Sequence, residues 1–189
     1  MEFFDTLAKR HSIRSFQKRP VERALLDRLF DAASLAPSAL NEQPWRFYVA
    51  SGEKRREVMQ VMAQSTHYLE EYMALLGHEP TEEALRWYSE LGDAPVIIAA
   101  TMPKVDDDFA RLNKHLSVAG AIQNMLLAAT DMGLGSCNLT FSFWVRDELA
   151  PVFGVDPDRT IVALVVLGYP TDEPPHAPGR NHDIVVYVD

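Results

Sequence analysis

Apolar runs without a charged residue constrain this chain more than any other feature of its sequence. Residues 96–100, 161–167 and 184–188 consist almost entirely of aliphatic and β-branched side chains, which is typical of buried strands. Strands that are apolar on both faces occur in sheets whose two sides are covered. The sequence therefore predicts a sheet between layers of helices, in an α+β or α/β arrangement.

The segments between these runs mostly carry the three- and four-residue apolar spacing of helices. A further strand is predicted at residues 47–50, an extended segment at residues 12–16, and a tight glycine turn at residues 133–135. Residues 111–132 have almost no charge after His115, so this helix is expected to be enclosed on most sides. The predicted helices cover residues 3–7, 25–33, 53–92, 111–132 and 146–153.

Length and charge exclude several classes of protein. The 189 residues are expected to form one domain, residues 1–189. A net charge of −9 argues against a nucleic-acid partner, and the longest uncharged segment, residues 116–130, is too short to span a membrane. The single cysteine, Cys137, and the absence of an apolar signal region at the N-terminus are compatible with a cytoplasmic protein.

One short segment departs from the acidic balance. No acidic residue occurs between Asp5 and Glu22. Five of the 18 basic residues lie there, namely Lys9, Arg10, Arg14, Lys18 and Arg19. In an acidic protein, such a segment indicates a local anionic ligand. Lys18 and Arg19 are interpreted as solvated surface charges.

Arg10, Ser12 and Arg14 share one face if their segment is extended. Two guanidinium groups and a hydroxyl suit a phosphate monoester that carries ribityl or ribosyl oxygens. These three residues are the candidates for the anion site.

Three other segments could line a site for a flat ligand. In residues 36–45, Asn41 and Gln43 offer donors and acceptors to a heteroaromatic edge. Residues 133–140 could present backbone N–H groups, and Arg180 supplies a late cation. Spacing alone does not show that these segments meet.

Motifs of the common nucleotide, metal and hydrolase sites do not occur in the sequence. Residues 133–138 begin like a dinucleotide-binding fingerprint but lack its third glycine and follow a helix. The histidines have no metal-ligand spacing, so no metal site is predicted. Cys137 has no basic neighbour in the sequence and is interpreted as a packed, unreactive thiol.

In this order, the segments resemble the FMN-dependent nitroreductase family. The matching stretches are RHSIRSF, LAPSALNEQPWRFYV, DAPVIIAAT, LSVAGAIQNMLLAATDMGLGSCNL and IVALVVLGYPTDEPPHAPGR. They extend from residue 10 to residue 180, so the resemblance covers nearly the whole chain.

The resemblance implies an α+β fold, a nitroreductase-like α/β/α sandwich whose central, mainly antiparallel sheet is covered by helices. It also implies an intertwined homodimer with two FMN molecules at the interface, each touched by both subunits. The segment with Pro37, Ser38, Ala39 and Asn41 would reach the flavin of the other subunit. The implied FMN-binding residues are Arg10, Ser12, Arg14, Pro37, Ser38, Ala39, Asn41, Arg86, Asn138, Leu139, Thr140 and Arg180.

The implied activity is a ping-pong reaction in which NADH or NADPH passes a hydride to flavin N5. A nitroaromatic, quinone or similar small acceptor then takes it up. The cofactor supplies the chemistry, so no catalytic side chain is expected, and Arg14 would tune the flavin electrostatically. Candidates for an aromatic wall beside the ring are Tyr68, Tyr72, Phe141, Phe143 and Trp144.

Three features depart from the family pattern. Many members place two basic residues near the final phosphate contact, where His176 and Arg180 are the only candidates in this chain. Asn138 stands where many members have an aromatic residue. In residues 83–91, where well-studied members carry an Asn and a Lys, Arg86 is the only cation. The alternatives are a flavin-site enzyme of another reaction type, such as a flavin reductase, a dehalogenase or a flavin-fragmenting enzyme, and a non-catalytic FMN-binding dimer.

Overall fold

A four-stranded sheet forms the centre of the computed structural model, which describes residues 2–75, 82–171 and 179–188. The strands are β1 (Arg46–Ser51), β2 (Val96–Pro103), β3 (Gly135–Leu139) and β4 (Arg159–Gly168). Their order is β1-β2-β4-β3, with antiparallel pairing between all neighbours. The central strands β2 and β4 coincide with two of the predicted apolar runs.

The helices of the described residues were expected from the apolar spacing, although their bounds differ in places. The predicted helical stretch at residues 53–92 divides into three helices. The last helix ends at Gly154, whose φ of 68° is left-handed and favours glycine. The helices are α1 (Phe3–Lys9), α2 (Arg23–Ser34), α3 (Gly52–Gln64), α4 (Thr66–Leu75), α5 (Glu82–Glu90), α6 (Asp108–Asp131) and α7 (Arg146–Phe153).

Both faces of the sheet are buried, which confirms the predicted sandwich. In β2, Val96, Ile98 and Ala100 belong to a core with α2 and α6. Ile97 and Ala99 belong to a second core with α3 and α7 on the opposite face. Successive side chains of a strand point to opposite faces. A strand that is covered on both sides therefore needs an unbroken apolar run.

One predicted strand is absent from the described residues, and one observed strand was not predicted. Residues 184–188 form no strand in this chain, and their side chains are between 58% and 92% exposed. Conversely, Gly135–Leu139 forms strand β3 along β4, directly after the predicted glycine turn, and this strand was not predicted. The physical reason is that a strand requires a neighbouring edge to supply its hydrogen bonds, which local composition does not reveal.

The prediction that α6 is enclosed on most sides is correct for one side only. Phe109, Leu112 and Leu116 are 72%, 54% and 63% exposed. Helix α1 packs beside α6 and adds exposed aromatic side chains. We call the resulting surface the open apolar face; it consists of Phe3, Phe4, Leu7, Phe109, Leu112 and Leu116. No helix of the described residues is long and apolar enough to cross a membrane.

Candidate functional site

The basic segment, residues 10–16, runs over the edge strand β3. The backbone N–H of Ile13 donates to the carbonyl of Ser136 at 3.0 Å, and that of Phe16 donates to the carbonyl of Gly92 at 3.0 Å. The Ile13 side chain packs closely on Gly135. A Cβ added to Gly135 would lie only 2.7 Å from Cγ2 of Ile13. The segment is therefore held in a fixed, non-helical path, as the extended prediction requires.

The three predicted anion-binding side chains converge on Cys137. Burial raises the pKa of the Cys137 thiol, while the charge of Arg14, a hydrogen bond with Ser12 and the charge of Arg10 all lower it. The bond from Ile13 to Ser136 holds the segment beside β3, and alternation along an extended chain places Arg10, Ser12 and Arg14 on one side of it. Cys137 is only 3% exposed, which fits a packed thiol. Its basic neighbours are close in space although none is adjacent in the sequence.

Helix α5 approaches Arg14 with two aromatic residues that were not predicted from the sequence. The Trp87 indole N–H donates to the Arg14 carbonyl at 2.7 Å, and the Arg14 guanidinium lies 5.8 Å from the centre of the Trp87 ring. Burial raises the pKa of the neighbouring Tyr88, the proximity of Cys137 raises it further, and Arg14 lowers it. The adjacent aromatic pair on α5 was the only sequence signal that could have identified them.

A glycine makes the close approach of α5 to the basic segment possible. Gly92 has a φ of 61°, and a Cβ at this position would lie 2.0 Å from the Arg14 carbonyl oxygen. No side chain fits in that space, and the left-handed backbone is costly for any other residue. Gly92 thus sets the distance between the end of α5 and Arg14.

The aromatic candidates divide into two groups. Tyr68 and Trp144 stack on each other at 5.4 Å and 12°, and Arg146 lies 4.2 Å above the Phe143 ring. These rings therefore serve packing within the chain.

The remaining aromatic candidates continue outward from Arg14. The Phe141 ring lies 5.2 Å from Tyr88 and 6.4 Å from Tyr72. Tyr72 is 46% exposed. Trp87, Tyr88, Phe141 and Tyr72 form a continuous aromatic wall that leads from the arginine to solvent.

The residues on and after β3 that were predicted to bind FMN point in different directions. Cys137 and Leu139 face the core that contains α3, whereas Asn138 is exposed and points to the opposite face, because strand side chains alternate. Thr140 follows the strand and is also exposed. Of this group, the structure brings only the strand backbone and Cys137 next to the arginines.

Arg86 and Arg180 lie away from these contacts. Arg86 is exposed on α5, and Arg180 is exposed in the segment after residue 178. Within residues 2–75, 82–171 and 179–188, neither guanidinium forms a hydrogen bond or an ion pair. The structure therefore does not gather them with Arg10 and Arg14 in one chain.

The loop with Pro37, Ser38, Ala39 and Asn41 is braced by its own side chains. The Gln43 N–H donates to the Ser38 hydroxyl at 3.0 Å, and the Gln43 side-chain amide donates to the Asn41 side-chain oxygen at 3.2 Å. Positive φ values at three non-glycine residues give the loop a strained path; they are Leu40, Asn41 and Gln43. Gln43, a candidate ligand-binding amide, is used within the loop.

This loop and the basic segment belong to opposite edges of the sheet. The loop leads into β1, and the basic segment lies along β3. Three strand spacings separate these edges, which is about 14 Å. One chain by itself therefore does not bring the two predicted halves of the site together.

One buried polar side-chain atom lacks a hydrogen-bond partner in the described part of the chain, and it belongs to His11. Its Nδ1 lies 2.7 Å from the Lys9 carbonyl, which makes Nδ1 the donor. Its Nε2 is buried and has no partner. Buried polar atoms are normally satisfied, so this nitrogen marks a position where a ligand group fits.

Lys18 and Arg19, at the end of the acid-free stretch, lie on the surface, as the sequence predicts. Lys18 is 87% exposed, and Arg19 pairs with Glu22 at 2.8 Å. The Arg19 guanidinium also lies 3.9 Å above the Tyr169 ring. Hydrogen bonds from Tyr169 and Arg19 lower the pKa of Glu22 to about 2. The charge of Arg19 is thus engaged within the chain, whereas Arg10 and Arg14 form no ion pair among the described residues.

Sequence comparison defines the class of protein to which this fold and site belong. The model of the nitroreductase family matches residues 7–169. The chain therefore belongs to the nitroreductase family, as its motifs indicate, and it is an enzyme of the oxidoreductase class.

Individual relatives and structures agree with this assignment. The chain is similar to the NADH dehydrogenase of Thermus thermophilus, with 30% identity over 187 aligned positions that cover 87% of this chain and 85% of the relative. It is also similar to the iodotyrosine deiodinase of Thermotoga neapolitana, with 28% identity and coverage of 97% and 96%. The crystal structure of the FMN and NADPH-dependent nitroreductase NfnB from Sphigopyxis sp. strain HMH shares the fold, with a TM-score of 0.79, 22% identity and full coverage of both chains.

Proposed function

We propose that this chain is an FMN-dependent oxidoreductase that takes reducing equivalents from NADH or NADPH and passes them to a nitroaromatic, quinone or similar small acceptor. The position of Arg10, Ser12 and Arg14 beside β3, which the backbone bond from Ile13 to Ser136 fixes, carries the proposal. The names of the relatives and the fold of the NfnB structure support it. The reducing cofactor and the single unpaired cysteine favour the cytoplasm as its compartment.

The residues at this position fit a flavin phosphate. Arg10 and Arg14 carry positive charges that no carboxylate of the described chain neutralises, and charged hydrogen bonds to phosphate are strong. The Nε2 of His11 is buried without a partner, since Nδ1 donates to the Lys9 carbonyl, and it is therefore available to a ligand group. The donor set matches the phosphate and ribityl oxygens of FMN.

When it is bound, FMN supplies the carrier through which two electrons pass from the nicotinamide to the acceptor. The residues of the chain bind and orient it. Arg10 and Ser12 hold the phosphate end, and Arg14 extends toward the pyrimidine edge of the ring, where a positive charge stabilises developing negative charge. Further proposed contacts are Arg86, Asn138, Leu139, Thr140 and Arg180.

The aromatic wall gives the nicotinamide and the acceptor a surface on which to stack. Tyr72 and Phe141 are its outer members, and flat rings favour offset contacts with such side chains. Because the wall opens to solvent, donor and acceptor would occupy the same place in turn. This arrangement suits a ping-pong reaction.

We also propose that the enzyme is an intertwined homodimer in which Pro37, Ser38, Ala39 and Asn41 approach the FMN of the partner subunit. The wide separation of this loop from the basic segment in one chain supports this arrangement. The open apolar face supplies a surface that a second copy would bury. The exposed β-type sequence of residues 184–188 would find its missing strand neighbour on the partner.

The dimer is tested by placing charges on the open apolar face. Leu112→Asp together with Leu116→Asp is expected to produce monomers in analytical ultracentrifugation, because burying two carboxylates in an apolar contact is costly. FMN affinity should fall with the loss of the partner loop. Leu75→Asp is the matched control, since Leu75 is 85% exposed on α4 and lies outside this face. A wild-type protein that sediments as a monomer would contradict the proposal.

The proposed activity is tested with an absorbance spectrum of the purified protein. After addition of FMN and removal of the excess, the protein should remain yellow. Without air, NADH or NADPH should bleach the flavin, and a nitroaromatic or quinone should restore the colour. A protein that retains no FMN would refute the proposal.

Reductive dehalogenation is the second candidate function. The deiodinase relative matches 97% of this chain, and the same flavin site serves that proposal. A protein that binds FMN but is not bleached by NADH or NADPH, and that releases iodide from an iodinated phenol after chemical reduction, would favour it over the nitroreductase activity.

A further inference from the structure

The indole of Trp87 contacts both the backbone and the side chain of Arg14. Its N–H donates to the Arg14 carbonyl at 2.7 Å, and its ring lies 5.8 Å from the guanidinium carbon. The second distance is within the range of attraction between a cation and an aromatic face. One side chain therefore restrains Arg14 at two points.

The guanidinium of Arg14 has no competing anchor in the described part of the chain. It forms no ion pair there, and the residue is exposed. A long, exposed side chain loses much rotamer freedom when it is ordered. The Trp87 ring is thus the contact that limits where this charge points.

The fold holds Trp87 itself in place. Its ring meets Tyr88 edge-on at 5.2 Å, and the next turn of chain contains Leu91, which is fully buried. Gly92 then brings this turn against the Arg14 carbonyl. The indole is therefore held by its contact with Tyr88 and by the turn at Leu91 and Gly92.

We propose that Trp87 is a positioning residue of the FMN site, which acts through Arg14 by directing its guanidinium toward the pyrimidine edge of the flavin. This inference rests on the proposed function. Trp87 does not itself need to contact the cofactor. Removal of its N–H and of part of its ring should weaken FMN binding and make the midpoint potential of bound FMN more negative, because a positive charge near the ring favours reduction.

The first test uses the protein without added FMN. The indole N–H of Trp87 should exchange with deuterium more slowly than that of Trp144, which is 43% exposed and has no hydrogen-bond acceptor in residues 2–75, 82–171 and 179–188. NMR follows both signals in one sample. Equal exchange rates would show that the bond to Arg14 does not persist in solution and would overturn the inference.

The second test is a double-mutant cycle with Trp87→Phe and Arg14→Ala. In the wild-type background, Trp87→Phe should weaken FMN binding about three- to tenfold, because the Arg14 guanidinium is no longer directed and its charge-assisted contact with the flavin weakens. In the Arg14→Ala background it should change affinity less than about twofold, since the group through which it acts is absent. Trp144→Phe, the same change in a ring without this bond, should leave affinity and potential unaltered.

The outcomes separate this inference from the proposed function. An equal effect of Trp87→Phe in both backgrounds, or an unchanged potential, overturns the positioning role while the FMN function stands. A wild-type protein that does not take up FMN overturns the proposed function and this inference with it. Thermal unfolding of each variant shows whether a lower affinity comes from loss of the fold.

Discussion

Replacing both Arg10 and Arg14 with alanine is expected to abolish FMN retention on a desalting column. Each charge-assisted hydrogen bond contributes about 1.5–3 kcal/mol, so the double variant should lose about 3–6 kcal/mol of binding free energy. This corresponds to a decrease in affinity of at least about 100-fold. Fluorescence titration of FMN measures the change directly. The thiol of Cys137 should at the same time lose the two positive charges that lower its pKa.

A matched control comes from the same segment. Lys18→Ala together with Arg19→Ala removes the same total charge, yet Lys18 is 87% exposed and Arg19 is paired with Glu22. FMN affinity should stay within about twofold, since exposed charges at a distance are screened by salt. If the control loses as much affinity as the Arg10 and Arg14 variant, the segment attracts FMN only through its overall charge, and the FMN contacts assigned to Arg10 and Arg14 are wrong.

The second large effect is expected from Gly92→Ala. The added Cβ would lie 2.0 Å from the Arg14 carbonyl oxygen at a φ of 61°. The left-handed backbone costs about 1–2 kcal/mol for an L-residue, and relief of the overlap requires backbone shifts that add about 1–3 kcal/mol. The free energy of unfolding should thus fall by about 2–5 kcal/mol in chemical denaturation. Because the displaced residue is Arg14, FMN affinity should fall as well.

Gly154→Ala separates the cost of the left-handed backbone from the cost of the overlap with Arg14, the two causes of the lower free energy of unfolding. Gly154 has a φ of 68°, but a Cβ there meets nothing within 4 Å. Its variant should lose only the backbone contribution of about 1–2 kcal/mol and keep its FMN affinity. Equal losses in the two variants would contradict a tight contact between the end of α5 and Arg14.

The two central strands of the sheet could be predicted because the pattern that identifies them lies within a short stretch of chain. Residues 96–100 and 161–167 are apolar without interruption, and only a strand covered on both faces requires this. β3 was missed because Gly135, Ser136 and Asn138 have low strand propensity, and this strand exists by pairing with β4. The prediction for residues 184–188 failed for the opposite reason. Their composition favours a strand, but no neighbouring strand in the described residues pairs with them.

The candidate site was only half accessible to sequence reasoning. The absence of acids around Arg10 and Arg14 identified the anion-binding segment. The sequence did not indicate that Trp87 would support Arg14, and Arg86 was chosen because it is the cation of that helix. A helix turns by 100° per residue, so adjacent residues such as Arg86 and Trp87 face different directions. Only the docking of α5 decides which of them meets the basic segment.

The amino-acid sequence by itself determined the covered sheet, the helices on both of its faces, the family and the basic segment. Each of these follows from patterns within a short stretch of chain. The tertiary structure decided that Trp87 supports Arg14, that Cys137 lies among the arginines and that the second loop sits on the far edge. The bond between Trp87 and Arg14 joins residues 73 positions apart. Local periodicity specifies which face of an element is buried, but long-range packing decides which buried faces meet.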